Sequence, residues 1–326
     1  MKSMVGKRHE KPQPSHAAGA VLCRRQLLQT TASTAMGLSS ILLAKTPPVY
    51  AAKRTLTMLT WQHFIEESDK ILQQMAYEFG QANNCQVHID FIPHKDVRLM
   101  VPKEQRTRQG HDIVFLFYSM PHLYHNELET LDFMERLGQG LGGWYDLARE
   151  IGEVQGRWVA MPWYCAAQAM TFREDLYHQH GFSTPQTWEA WKETGRQIKE
   201  NSGHHVGITL NEDADSNLTL YALLWSYGAS TTDADGQVSI NTPETRRAMD
   251  YIKDLYECCM PDEVLSWDAS GNNQAFLSGN YAWVHNATSI YGVAKYKARA
   301  LLDVINHTLT PSGPRGQHGT ATPFIN

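Results

Sequence analysis

Asp112–Phe117 (DIVFLF) is the run that most narrows what this chain can fold into. It has strand length and is apolar without a break from Ile113 onward. A strand with no polar alternate positions must be covered on both faces, as in a parallel sheet flanked by helices. The segments before it supply the rest of such a unit. Arg54–Leu59 (RTLTML) alternates as a strand does. Ser68–Gln81 places Ile71, Leu72, Met75, Ala76 and Phe79 on one helical face, and Gln86–Phe91 (QVHIDF) alternates again. A polar connector, Lys95–Gln109, interrupted by Pro102, leads into the apolar strand. Strand, helix, strand, connector, strand describes an α/β lobe with parallel pairings. At 326 residues, 42% hydrophobic and 19% charged, the chain is long enough for two lobes.

A second region begins near Pro162. Tyr164–Phe172 (YCAAQAMTF) reads as a long strand. Thr184-Pro185 leads into an amphipathic helix, Thr187–Glu200, carrying Trp188, Trp191 and Ile198. Val206–Leu210 is a short strand. Leu218–Tyr227 and Pro243–Tyr256 read as helices, the latter with Thr242 as N-cap and Pro243 in its first turn. Asp235-Gly236 is a hairpin-like turn before Val238–Ile240. In Asn272–Asn286 (NNQAFLSGNYAWVHN) the apolar period changes. A helix, Asn272–Leu277, stops at Ser278-Gly279-Asn280, where Gly279 supplies a positive φ, and a strand, Tyr281–His285, follows. The sequence has no internal repeat and no low-complexity tract.

Charge is unevenly placed. Residues 1–51 carry seven Lys/Arg and one acid, Glu10; the rest holds 22 Lys/Arg against 33 Asp/Glu, a formal charge of −11. An acidic body lacks the electrostatic footprint of a nucleic-acid binder and disfavours a highly anionic ligand. Arg24-Arg25 precede Gln26-Leu27-Leu28, a mildly apolar run to Ala44, and the small-residue end Val49-Tyr50-Ala51-Ala52. This resembles a twin-arginine signal peptide over residues 1–52, cleaved after Ala51 or Ala52; the alternative is a retained signal-anchor helix. It departs from the usual pattern at Cys23, Leu27 and Gln29. Export leaves Cys85, Cys165, Cys258 and Cys259, without a CxxC pair. Adjacent Cys258 and Cys259 do not bridge readily, so the four read as small buried hydrophobes, with one long-range disulfide as the alternative.

Several motifs have a bland reading that wins. Gly138-Gln-Gly140-Leu-Gly142-Gly143 matches G-x-G-x-x-G formally, but helical residues Glu127–Leu137 precede it where a dinucleotide site needs a strand. It reads as a helix stop plus a loop. His122 and His125 with Glu127, His178/His180 and His204/His205 are pairs in helix-flanking segments, whereas zinc needs three or four ligands. A periplasmic metal-ion receptor is the alternative they raise. No GxSxG, HExxH or P-loop occurs. Glu212, Asp213 and Asp215 read as a polar loop, although two converging acids would suit a secreted carbohydrate-active enzyme. No catalytic residue, metal or cofactor is assigned.

The nine tryptophans are the stronger clue. Trp61 follows the first strand, Trp163 stands at Pro162, and Trp267 lies in Ser-Trp-Asp-Ala-Ser. In open α/β sheets ligands sit beyond the carboxyl ends of the strands, a test that Tyr118-Ser119-Met120 also meets. A flat ring covers the C–H face of a sugar while Asn, Asp and Gln satisfy its hydroxyls.

Several segments in order carry a family resemblance. They are Gly142-Gly143-Trp-Tyr-Asp-Leu-Ala, Gly156-Arg-Trp-Val-Ala-Met-Pro-Trp-Tyr, Phe172-Arg-Glu-Asp-Leu, Thr187-Trp-Glu-Ala-Trp and Asn217–Gly228. Ile240-Asn-Thr-Pro-Glu-Thr-Arg, Pro261–Trp267 and Asn272–Asn286 complete the set. From Arg54 to Asn326 the chain resembles the family 1 extracellular solute-binding proteins, receptors of ABC sugar importers. The resemblance implies an α/β, two-lobed periplasmic-binding-protein fold with inter-lobe crossing strands and a central ligand cleft. It implies lobe one over residues 53–167, lobe two over 168–280 and a return to lobe one over 281–326. Crossings are expected near Tyr164–Ala169 and Tyr281–Asn286, with Ser289–Ala300 and Val304–Leu309 in lobe one. The implied ligand is a neutral carbohydrate, the implied partner an ABC permease, and the receptor a periplasmic monomer. The residues expected to touch the ligand are Trp61, Gln62, Tyr118, Ser119, Trp163, Asn211, Trp267, Asp268, Asn272 and Asn286. The family continues beyond the residues matching Thr320–Asn326, so poorly covered apolar residues are expected on lobe two, in Leu218–Tyr227 or Pro243–Tyr256.

Overall fold

A computed structural model of the chain describes residues 54–107 and 109–325; the signal segment expected over residues 1–52 lies outside the described residues. The first strand–helix–strand unit is β1 (Arg54–Trp61), α1 (Glu66–Asn83) and β2 (Cys85–Ile92). Helix α1 stops at Asn84, whose φ of 51° is left-handed and whose N–H returns to the Gly80 carbonyl. Asparagine tolerates that conformation better than most residues. The connector expected over Lys95–Gln109 is largely helical, as α2 (Val97–Thr107), which contains Pro102.

The DIVFLF run does not make one strand. β3 (Ile113–Val114) lies parallel to β1, giving the order β2-β1-β3. The Phe115 N–H then bonds to Leu59 O at 2.9 Å, and β4 (Leu116–Phe117) passes into a different sheet. Helices α3 (Met134–Gly140) and α4 (Asp146–Gly152) follow. Between them Gly142 and Gly143 have φ of 90° and 109°, and the Gly143 N–H bonds back to Gly138 O. The glycine run is therefore a helix stop and loop.

The organising element is β5 (Pro162–Arg173), a twelve-residue strand. Beyond it come α5 (Trp188–Ser202), β6 (His205–Gly207), α6 (Ala214–Tyr227) and α7 (Pro243–Cys259). Thr187, Asp213 and Thr242 cap the three helices, accepting from the Ala190, Asp215 and Thr245 N–H groups. Helix α8 (Gly271–Leu277), β7 (Tyr281–Ala287), α9 (Ser289–Lys297), β8 (Ile305–Thr308) and β9 (Ala321–Ile325) complete the described chain.

β5 runs through both cores. Its first half pairs with β9, Ala321 opposite Ala167 and Thr322 opposite Ala166. There it adjoins an aromatic core of Trp61, Phe115, Phe117 and Phe324. Its second half pairs with β7, from Gln168 opposite Ala287 to Phe172 opposite Trp283, and with β8 on the other edge. This half lies in a larger core built around Met170, Phe172, Trp188, Trp191 and Trp283.

The structure places the return to lobe one differently from the sequence expectation. Tyr281–Asn286 is not a crossing: all six residues are buried, and β7 pairs with β5 and β6 inside the second core. Ile290, Ala294 and Ile305 pack into that same core, so α9 and β8 belong to lobe two. The physical reason is an open edge, since residues 170–173 of β5 have bonding capacity that only β8 fills. The chain re-enters lobe one at β9.

The apolar exposure expected on α6 and α7 is present at Trp225 and Met249, 37% and 38% exposed, while Ala222, Leu223, Leu224, Tyr251 and Leu255 are buried. The bare stripe is on α1, where Ile71, Met75 and Phe79 are 61%, 57% and 51% exposed. The helical period of that face was readable, but its covering was not. Cys258 and Cys259 are joined as a disulfide at the end of α7, contrary to the expectation for neighbours whose Cα atoms stand 3.8 Å apart. Cys85 and Cys165 are free.

Candidate functional site

Two cavities flank the middle of β5. One, of about 620 Å³, is walled from lobe one by Trp61, His63, Tyr118 and Trp163, and from lobe two by Asp215 and Asn286. The other, of about 870 Å³, is walled by Arg98, Tyr118, Ser119, Asn217 and Tyr221. Gln168 and Tyr118 border both. A cleft between lobes, floored by the strand that joins them, is thus built by residues far apart in sequence.

Lobe one presents rings. Trp61 leaves β1 and stacks on Phe324 of β9, with centroids 5.5 Å apart; His63 packs against both Trp61 and Trp163. The His63 ring is fixed by Asp69, Nδ1 to Oδ1, at 2.5 Å. Trp163 is 37% exposed, a ring available on the cleft wall. Tyr118 has a φ of 46°, a left-handed conformation that is costly for a tyrosine. Such strain gathers where a side chain must point at a ligand. Burial raises the Tyr118 hydroxyl above its usual range, although a hydrogen bond with Thr322 opposes the shift. His94 borders the smaller cavity; burial lowers it to about 4, against the pull of the Asp213 carboxylate. Its imidazole is therefore neutral at pH 7.

Lobe two presents polar groups. Asp213 caps α6, which puts Asp215 in the first helical turn, facing the cavity. Asp215 Oδ2 accepts from Asn272 Nδ2 at 2.9 Å, and Asn272 Oδ1 accepts from Asn286 Nδ2 at 3.0 Å. Asn286 Nδ2 also donates to Asn273 Oδ1, and Asn286 Oδ1 accepts from the Ala287 N–H at 2.7 Å. Desolvation pushes Asp215 up to about 7; the Asn272 bond lowers it, while Asp213 and Asp268 raise it further.

The ten sequence candidates divide. Trp61, Tyr118, Trp163 and Asn286 meet at the smaller cavity, and Ser119 lines the larger. Asn272 is wholly buried behind Asn286. Gln62 is exposed, with its N–H bonded to Ile92 O. Asn211 closes a turn, its Oδ1 accepting from the Glu212 N–H. Asp268 accepts from the Ser270 N–H and hydroxyl just before α8. Trp267 packs in the lobe-two core against Gly207 and Gly271, on the side of Tyr281. Sequence reasoning passed over Asp215, Gln168, His63, His94 and Thr322. One signal was present: with Asp213 as a cap, Asp215 belongs to a helix start and not to a loop. The pair His122 and His125 bonds to main-chain oxygens of Glu150 and His122.

Two α/β lobes, a shared strand and a cleft with rings on one wall and hydrogen-bonding groups on the other define a two-lobed binding protein. The family of bacterial extracellular solute-binding proteins matches residues 65–313, and the chain belongs to it. A Deinococcus radiodurans protein described as a "Probable ABC transporter-binding protein" is 26% identical over 172 residues, which make up 50% of this chain and 41% of that one. The chain thus spans less than half the length of that relative. Among solved structures, maltose-bound MalE3 of T. maritima has a TM-score of 0.76 at 21% identity, over 83% of this chain and 71% of that one. A solute-binding protein of Agrobacterium vitis with bound D-mannitol has a TM-score of 0.71 at 20% identity, over 83% and 68%. These likenesses establish the fold.

Proposed function

We propose that this protein is the receptor of an ABC importer and binds an uncharged carbohydrate or polyol between its lobes. The observation that carries this reading is the 620 Å³ cavity, whose walls come from both lobes and combine Trp61 and Trp163 with Asp215, Gln168 and Thr322. Rings cover the C–H faces of a sugar, and the polar groups take its hydroxyls. Bound MalE-like neighbours, with maltose in one and D-mannitol in another, support that ligand class.

The working cycle is hinge closure. A ligand that touches both lobes favours the closed arrangement by its differential contacts, and the closed form is what a membrane permease distinguishes. Bending is assigned to residues 166–168 of β5 and to residues 310–320, the two places where the described chain passes between lobes. No bond is made or broken. The protein acts as a monomer in the periplasm, reached through the twin-arginine signal over residues 1–52.

Tryptophan fluorescence of the purified protein, titrated with neutral mono- and disaccharides and polyols, tests the reading. A saturable change for at least one of them is expected. A response to zinc alone, or turnover of a glycoside, would refute it.

A further inference from the structure

Far from the cleft, a disulfide joins two neighbours in the chain. Cys258 and Cys259 are bridged in the last turn of α7, with their Cα atoms 3.8 Å apart. A disulfide stabilises a fold mainly by closing a loop in the unfolded chain, and the gain grows with the length of that loop. No residue lies between these two cysteines, so the bond removes almost no chain entropy. It also holds Cα atoms nearer than the roughly 4.4 Å lower bound of ordinary disulfides, and such departures make a bond easier to reduce. The bridge is a poor staple.

Its surroundings suit the reduced form as well as the oxidised one. Cys258 Sγ stands 3.6 Å from Leu255 O, and Cys259 Sγ stands 3.8 Å from Lys192 O on α5. A disulfide sulfur has no hydrogen to donate. A thiol has one, and each sulfur already faces a carbonyl that can accept it. The backbone is held by bonds other than the bridge: the Met260 N–H donates to Tyr256 O at 3.3 Å, and Lys199 Nζ donates to Cys258 O at 3.0 Å. Access is one-sided, since Cys259 is wholly buried while Cys258 keeps part of its surface in solvent.

We propose that Cys258–Cys259 is a reversible two-electron redox site that exchanges with thiols and disulfides from solution while lobe two stays folded. A thiolate of an incoming dithiol attacks Cys258 Sγ. The bond to Cys259 breaks, and Cys259 leaves as a thiolate that takes up a proton. The second thiol of the reductant loses its proton and attacks the reductant's own sulfur in the mixed disulfide, and Cys258 leaves and is protonated. The protein gains two electrons and two protons, and the reductant becomes a disulfide. The reverse exchange restores the bridge. None of this depends on what the cleft binds.

Redox titration of the full chain tests the proposal. The protein is equilibrated at neutral pH in mixtures of reduced and oxidised glutathione, quenched in acid and alkylated. Mass spectrometry of the peptide carrying both residues reads the dithiol fraction apart from the other cysteines. That fraction should pass through one half within the glutathione series and return to zero on reoxidation. Reduction should move the melting temperature by less than about 4 °C. In Cys259→Ser the remaining Cys258 thiol should form a mixed disulfide with glutathione at least about tenfold faster than the Cys259 thiol does in Cys258→Ser. A bridge that opens only once denaturant unfolds the chain, or whose reduction lowers the melting temperature by more than that limit, is structural, and the proposal fails. A pair that stays dithiol in oxidised glutathione, or a Cys259 thiol that reacts as fast as Cys258, overturns it as well.

Discussion

Trp267 offers the sharpest separation between a ligand contact and a core residue. Its ring lies so close to the backbone of β6 that a Cβ at Gly207 would stand 2.8 Å from Trp267 Cζ3. On the other side, a Cβ at Gly271 would stand 2.7 Å from Trp267 Cβ. Tyr281, with ring centroids 5.4 Å away, blocks a third direction. The indole has little room to retreat, so Gly207→Ala overpacks the core and should cost about 1–3 kcal/mol. For a chain of this size each kcal/mol lowers the melting temperature by roughly 2–4 °C. Trp267→Ala removes the ring and should cost about 3–5 kcal/mol of stability. Ligand affinity of the folded fraction should stay within about twofold in both, since neither residue borders the cleft. The assay is thermal unfolding by circular dichroism beside a ligand titration well below the transition. A Trp267→Ala protein that melts like the wild type yet loses ligand by tenfold or more would refute this placement. A ligand-stacking tryptophan would behave in that way.

Three further outcomes follow from the site and its surroundings. Asp215 is raised to about 7 in the folded protein, so the fold binds its proton more tightly than the unfolded chain does. Its contribution to stability is therefore greatest below about pH 4 and declines as pH rises toward 7. Asp215→Asn should remove that decline, read as a smaller drop in melting temperature between pH 4 and pH 8. Burial lowers His111, but its bonds to Asp90 and Glu104 outweigh that effect and raise it above 6.5. The stability it supplies is complete below about pH 6.5 and is lost as pH climbs through the raised value; His111→Gln should flatten urea midpoints across that window. Trp163→Ala, at a 37% exposed ring, should reduce affinity for the neutral ligand about tenfold while shifting the melting temperature by less than about 2 °C; an unchanged dissociation constant would remove Trp163 from the site.

Much of the architecture could be read from local pattern. Thr242 with Pro243, and Thr187 before Trp188, announced two helix starts through capping chemistry that acts over three residues. The long strand at Tyr164–Phe172 and the helix stop at Gly279 were legible for the same reason. What escaped depended on distant partners. DIVFLF has one composition but two neighbours, β1 for Ile113–Val114 and β9 for Leu116–Phe117, and no local rule divides it. Strand Tyr281–Ala287 looked like a bridge between lobes because its burial is set by β5 and β6, over a hundred residues and some seventy-five residues earlier. Trp61 and Trp267 share a composition signal, yet one borders the cleft and the other fills a core. Asp215 was hidden because its place on the cavity wall depends on the helix start at Asp213 and on strands far along the chain.

The pairing of β5 also governs how the molecule assembles. Thr322 and Ala166 are partners across almost half the chain, and Phe324 reaches back to complete a ring cluster with Trp61 and Phe115. Contacts of such high sequence separation form only after a large loss of chain entropy, which slows the search for the native topology. Within the second core, α5, β6, α6 and α7 follow one another directly in the chain, so their mutual contacts close shorter loops. Its half of β5 then offers a prepared edge on which the first lobe closes. During synthesis the aromatic side chains of lobe one wait for Phe324, the ring that completes their cluster, until β9 arrives.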